Sequence, residues 1–362
     1  MQILNKFLRL QKIYIYFISY VLIIMFFSTS FLCANTFKVS DIEISAPFEL
    51  NFNKNKVIDG GFRDSFSNLI NMITTSGDKK KIKKTTLKEI KVMIDSFTIS
   101  DEKFVNNEYF AKLEVSFNKK KFFSFLEKRN IFPSSLLRNK VLLIPILVDN
   151  EMDKIYLFTD NIFYQHWNND KKNFHLLDYL LPSEDLEDLS IIQQMSNSIE
   201  SYDFANLISK YDLQDYIISI IFKDKNKITV LSKINFKNSL KLDNQNFTNI
   251  DINNEEDFKK ILENLKTIYE NYWKKNNEIN TSIKLPLTVT VDSKEYGKIQ
   301  KLEKTLNDFD LISNFYILKF DNKKIYYRII YNGSPKTFLN DLSARNIELL
   351  EKNNIWTIKW KA

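Results

Sequence analysis

Paired carboxylates are the first chemistry to look for. Glu184, Asp185, Glu187 and Asp188 fall together in PSEDLEDLS. Two carboxyl groups flanking a glycosidic bond can supply the acid and the base for its cleavage, so the cluster is the candidate site of a carboxylate-dependent hydrolase of envelope glycan. The competing reading is that acids at the start of a helix meet the positive end of its dipole, which accounts for all four without catalysis. A second set of acids, Asp149, Asp153 and Asp160, comes after a long apolar run. Ligands of open α/β sheets bind beyond the carboxyl ends of the strands, which makes this rim a place to look.

Other chemistries lack their residues. His166 and His175 are the only histidines. Two imidazoles nine residues apart match no common zinc spacing, and no thiolate is at hand to join them. None of the five glycines falls in a phosphate-cradling G-x-x-x-x-G-K or G-x-G-x-x-G frame, and Gly60-Gly61 stands alone. No G-x-S-x-G elbow presents a nucleophilic serine. No catalytic residue, metal or cofactor is assigned. Aromatic residues remain: Tyr326, Tyr327, Tyr331, Trp356 and Trp360 sit on predicted strands. Stacking of RNA bases on such a sheet is one use of them, but KIYYRIIY lacks the glycines of that signature. The aromatics therefore read as core or as a protein interface, with Tyr326, Trp356 and Trp360 the candidate surface for a partner protein. N-x-S/T triplets begin at Asn246, Asn280 and Asn332 and matter only in a eukaryotic secretory route.

Three regions must position these residues. Residues 36–133 read β-α-α-β-β-α, an α+β domain. Phe62, Phe66, Leu69, Ile70 and Ile73 recur at helical spacing up to a stop at Gly77. Leu87, Ile90, Met93, Ile94 and Phe97 form a second helical stripe, and Tyr109 to Phe117 alternate as a strand after an Asn106-Asn107 turn. Residues 134–280 read as a layered α/β domain. VLLIPILV (141–148) and YIISIIF (216–222) are unbroken apolar runs, as strands covered on both faces are. Between them Ser183 is the expected N-cap of a helix over 180–196 with Leu186, Leu189, Ile192 and Met195 inward, and residues 255–275 are a long amphipathic helix. Residues 281–362 read β-α-β-β-α-β, the ferredoxin-like split motif, with Trp356, Ile358 and Trp360 on its last strand.

The chain opens on a different kind of sequence. Ile13–Leu32, IYIYFISYVLIIMFFSTSFL, has no formal charge and comes after Lys6, Arg9 and Lys12. A positive flank stays in the cytoplasm, so the chain beyond this run should be delivered outside it. Residues 1–34 are expected to be a signal peptide cut near Ser28-Thr29-Ser30 or Ala34, or an uncleaved membrane anchor. Leu32 before Cys33, the only cysteine, disfavours lipidation. The formal net charge is +7, of which the three leading cations carry +3, leaving +4. So mild a balance is no argument for a nucleic-acid partner. The lysine runs at residues 79–84 and 119–121 read as solvated faces, or as contacts to anionic headgroups.

The assembled pattern resembles the exported bacterial family known as domain of unknown function 2066. The resemblance is carried by FRDSFSNLINMI, by YFAKLEVSFNKKKFFSFLEKRNI, by VLLIPILVD and then NIFYQHWN, and by LPSEDLEDL. It covers about residues 62–189, more weakly 286–360, and departs where Phe, Ser and Asn replace alanines of the family's first helix. It implies an exported envelope protein of unknown role, in the periplasm or anchored in the inner membrane, and it implies no functional residue. The expectation is thus a non-catalytic module binding other envelope proteins. A glycan hydrolase and an intracellular nucleic-acid binder are the alternatives.

Overall fold

Neighbouring asparagines can take the left-handed backbone that a two-residue hairpin turn requires. Asn106 and Asn107 both have positive φ and join β2 (Ile94–Val105) to β3 (Glu108–Phe117). In a computed structural model of the chain, which describes residues 37–360 apart from 170, 171, 173, 310, 353 and 354, this hairpin belongs to the first of three sheets. The described residues form a mixed α+β protein with ten α-helices. The run Ile13–Leu32 lies outside them. Among the described residues no helix is long and apolar enough to cross a membrane.

The first sheet has the order β1-β3-β2, with β1 spanning Lys38–Pro47, and every pairing is antiparallel. Tyr109, Ala111, Leu113, Val115 and Phe117 point to one face, which α1 (Lys54–Ile73) covers. Gly61 makes the close approach possible: a Cβ there would lie 2.6 Å from a Leu113 methyl and 2.8 Å from one of Ile44, whereas Gly60 faces open space. The helix stops at Ile73 rather than at Gly77, because the Thr74 N–H and hydroxyl both donate to the Ile70 carbonyl. After a short α2 (Lys79–Ile82), α3 (Leu87–Met93) starts on a Thr86/Glu89 capping box. It ends earlier than its apolar spacing predicts. Ile94 and Phe97 lie on β2, paired with Phe117 and Val115, because a strand partner is available there. Then α4 (Lys119–Glu127) closes the region.

The second sheet runs β5-β4-β7-β8-β9, with β6 paired to the far end of β4. Its centre is β4 (Asn139–Asp149) beside the parallel β7 (Tyr216–Asp224). Both are buried on two faces, as their unbroken apolar runs predict. Pro145 sits inside β4 because its side away from β7 faces a gap. β6 (Leu177–Leu180) pairs only as far as Leu142 and β5 (Lys154–Tyr156) begins at Leu147. The buried Asn161 amide fills the gap and donates to the Pro145 carbonyl at 3.0 Å. Two short helices cover the faces at this end, α5 (Ile162–His166) on one and α6 (Leu186–Gln194) with α7 (Ala205–Ser209) on the other. An edge hairpin, β8 (Lys227–Phe236) and β9 (Ser239–Thr248), extends the sheet through a Lys237-Asn238 turn of positive φ.

The long helix α8 (Glu255–Asn276) crosses the face opposite α6 and α7. Its Tyr269 hydroxyl lies 3.1 Å from Ser219 Oγ and 2.8 Å from Ser232 Oγ, which explains the serine interrupting YIISIIF. Beside the apolar stripe α8 buries Lys266, Glu270 and Lys274. Glu270 Oε1 accepts from the Leu176 and Leu177 N–H groups at 2.8 and 2.9 Å, pinning the start of β6. The Lys274 ammonium reaches the Asn71 carbonyl of α1 and lies 3.7 Å from Glu270.

The third sheet has the order β11-β12-β10-β14-β13. β10 (Leu285–Asp292), α9 (Tyr296–Asn307), β11 (Ile312–Phe320), β12 (Lys324–Tyr331) and α10 (Pro335–Ser343) occur in the predicted order of elements. The last expected strand is instead a hairpin, β13 (Ile347–Lys352) with β14 (Ile355–Trp360). Its second arm inserts beside β10, in parallel, and pushes β13 to the edge. Both helices cover one face, where the Tyr327 and Tyr331 hydroxyls donate to Glu303 of α9 and Asp341 of α10 at 2.6 and 2.8 Å.

Candidate interaction surface

Three of the four acids in the cluster, Glu184, Asp185 and Asp188, are held in structural roles. Asp185, not Ser183, is the N-cap of α6: its carboxylate accepts from the Glu187 and Asp188 N–H groups. The Lys210 ammonium clamps Asp185 and Asp188 at 2.8 and 2.7 Å. That ammonium and the two amides hold the Asp185 carboxyl below its ordinary range, whereas a glycosidase acid needs a raised one. Glu184 accepts from the Thr159 N–H. Leu186, expected inward, is 84% exposed, because the N-cap falls directly before it and the buried stripe starts only further along the helix.

At the carboxyl end of β4, Asp149 caps its own turn, accepting from Glu151 and Met152 N–H, and pairs with Lys223 of β7 at 2.8 Å. Burial alone would raise its carboxyl, but Lys223 and the amides outweigh it and the value falls. Asp149 therefore fastens the two central strands rather than facing a ligand. The two histidines do come together, as lining of one cavity of about 580 Å³ between α5, α8 and Lys79. His166 Nδ1 is 2.9 Å from the Asn169 amide, and its ring packs on Phe258. Among the described residues no three His, Cys, Asp or Glu side chains are placed to hold a metal ion.

The aromatic candidates divide between two faces of the third sheet. Trp356 is in register with Val289, a core residue, so Trp356 and Trp360 lie on the helix-covered face. There the Lys301 ammonium of α9 sits 4.9 Å from the Trp360 ring centroid. Tyr326 pairs with Thr290, one position on, and lies on the opposite face under Lys319, 4.4 Å from its ring centroid. The three residues do not form one surface.

The feature that sequence reasoning passed over is the strand beside Tyr326. β11 is the outermost strand of its sheet. Tyr316, Ile317, Leu318 and Phe320 are all exposed, Phe320 to 79%. Leu318 sits at an irregularity of register between the Ile317↔Tyr327 and Lys319↔Tyr326 pairs. The signal was present: Phe315 to Leu318 are four apolar residues in succession, and a strand with only one covered face should alternate. The β11–β12 hairpin carries Lys319, Lys323, Lys324 and Arg328 against the single acid Asp321. A second exposed apolar cluster lies on the first sheet, where the Phe48 and Phe104 rings pack 4.9 Å apart; acids flank it at Glu49, Glu102 and Glu108.

No family model and no curated protein matches the chain. A solved crystal structure of an uncharacterized protein is similar over 38% of this chain and 91% of its own, at 7% identity and a TM-score of 0.16.

Proposed function

We propose that the chain is a protein-binding module of the cell envelope, exported or anchored through Ile13–Leu32, which docks a partner along β11. The observation that carries the docking site is the exposed apolar edge at residues 316–320. An exposed hydrophobic edge strand invites association, and proteins ordinarily blunt such edges with charge or bulges. Other edge strands among the described residues carry more charge: β1 has Asp41 and Glu43, β2 has Asp101, Glu102 and Lys103, β9 has Lys241 and Asp243, and β13 has Glu348 and Glu351. On β11 only Lys319 interrupts the apolar stretch. The occupant is an extended segment of another envelope protein, apolar at its centre and flanked by acids that meet the hairpin's cations. Main-chain pairing supplies affinity and the side chains of residues 316–320 supply specificity.

The apolar run behind three cations supports the compartment. In this reading residues 36–133, 134–280 and 281–362 are separate modules, the last a ferredoxin-like unit with one inserted strand. A photo-crosslinking residue at Leu318, in the native cell, tests the docking site. The expected result is one acidic envelope protein captured from position 318 and not from Leu242 on β9, and lost with Phe320→Lys. Equal capture from both edges, or capture unchanged by Phe320→Lys, removes the assignment.

A further inference from the structure

A second cleft, about 620 Å³, lies where α4 meets the end of α9 and the start of β11. Its walls are rich in polar side chains that the fold does not use. The amides of Asn307 and Asn314 and the hydroxyl of Ser124 line it without making a side-chain hydrogen bond among the described residues. Thr281 and Asn332 line it too and are only 3% and 4% exposed. Thr281 Oγ1 and Asn332 Oδ1 nevertheless have no hydrogen-bond partner among the described residues. Native proteins leave few buried polar atoms unpaired, and each calls for an explanation.

Of the three lysines that line the cleft, two are committed and Lys120 is the third. Lys284 pairs with Glu127 at 2.9 Å, and the Lys119 ammonium donates to the Phe309 carbonyl at 2.5 Å. Leu306, Ile312 and Ile330 line it with the rings of Phe315 and of Phe123, the latter 5% exposed. A carboxylate or phosphate ligand would want uncommitted cations. A purely apolar one would leave the amides and hydroxyls unmet. Amides both donate and accept, hydroxyls do the same, and an aromatic face packs against C–H groups. That combination matches a neutral polyhydroxylated molecule.

We infer that this cleft is a carbohydrate-binding site, taking two or three sugar units between α4 and β11. It involves neither the acidic cluster nor the exposed residues 316–320, so it stands or falls apart from the docking edge. The test is saturation-transfer-difference NMR on the full chain with maltotriose, mannotriose and chitotriose in turn, and with inorganic phosphate by ³¹P line broadening as the anionic control. The expected result is saturation transfer to at least one trisaccharide, weakened about tenfold or more by Asn314→Leu and by Asn307→Leu, while Lys120→Ala has little effect. Both asparagines are solvent-accessible, so these variants should fold, and an unchanged melting curve verifies it. No transfer to any trisaccharide overturns the inference. So does transfer indifferent to both leucine variants, or phosphate binding that is lost in Lys120→Ala without sugar binding.

Discussion

β4 and β7 in the second sheet and β11 in the third are equally apolar in sequence, and the molecule treats them in opposite ways. The central pair is covered by α8 on one side and by α6 and α7 on the other. Polar groups of the two central strands meet partners built for them: Ser219 has Tyr269, the Pro145 carbonyl has Asn161, and Asp149 has Lys223. β11 has a helical layer on one face and a neighbour on one edge, and its residues 316–320 are exposed among the described residues. An unbroken apolar run therefore reports a demand for cover. Whether the chain itself supplies that cover is a property of topology.

The contrast can be broken most severely at the buried charges of the second sheet. Glu270→Ala removes the acceptor of two β6 amides and leaves Lys274, whose ammonium burial already pushes down to about 8, without its carboxylate. Denaturant melts should show a loss of about 3–5 kcal/mol. The double change Glu270→Leu with Lys274→Met should recover much of it, since no lone charge then remains buried.

A smaller effect is expected where α1 meets the first sheet. Gly61→Ala drives a methyl into Leu113 and Ile44 and should cost about 1–3 kcal/mol. Gly60→Ala faces open space and should gain up to about 1 kcal/mol of helix propensity. A pair of thermal melts distinguishes the two neighbours.

Asp149 gives a pH signature. Its folded carboxyl titrates below the ordinary 3.8, so the unfolded chain binds the proton more readily. The stabilisation is therefore full above the unfolded value and is lost as pH falls through the folded one. Asp149→Asn should cost roughly 1–3 kcal/mol near neutrality. The gap between wild type and variant should close as pH drops below about 4, in urea titrations across that range. A constant gap at all pH values would deny the ion pair its role.

The smallest effect on stability belongs to the edge. Ile317→Lys and Phe320→Lys should each change folding free energy by no more than about 0.5 kcal/mol, as surface substitutions do, while removing partner capture. A large destabilisation in either would mean that these side chains belong to the fold.

Much of the architecture was legible because hydrophobic spacing reports local geometry. The two-sided burial of β4 and β7, the stripe of α8 and the Asn106-Asn107 turn all arise from neighbours in sequence. The features that escaped depended on distant partners. Ile94 and Phe97 fit a helical period but found Phe117 and Val115 across a sheet. β14 slips between β10 and β13, which no local pattern specifies. The buried charges of α8 recur at i, i+4 and could have been noticed. Their burial is set by β6 and α1, which residue spacing does not place. The site reading was weakest for the same reason: alternation on β14 puts Trp356 and Trp360 on one face, but only the register with β10 says that this face is covered and that Tyr326 lies on the other.

Amide hydrogen exchange on the isolated, purified chain tests the contrast most directly. The account predicts the slowest exchange in β4 and β7, and rapid exchange, independent of protein concentration, at those amides of residues 316–320 that point away from β12. Protection of those amides equal to that of β4 and β7 would contradict it, because β11 would then already be covered by the chain itself or by a second copy.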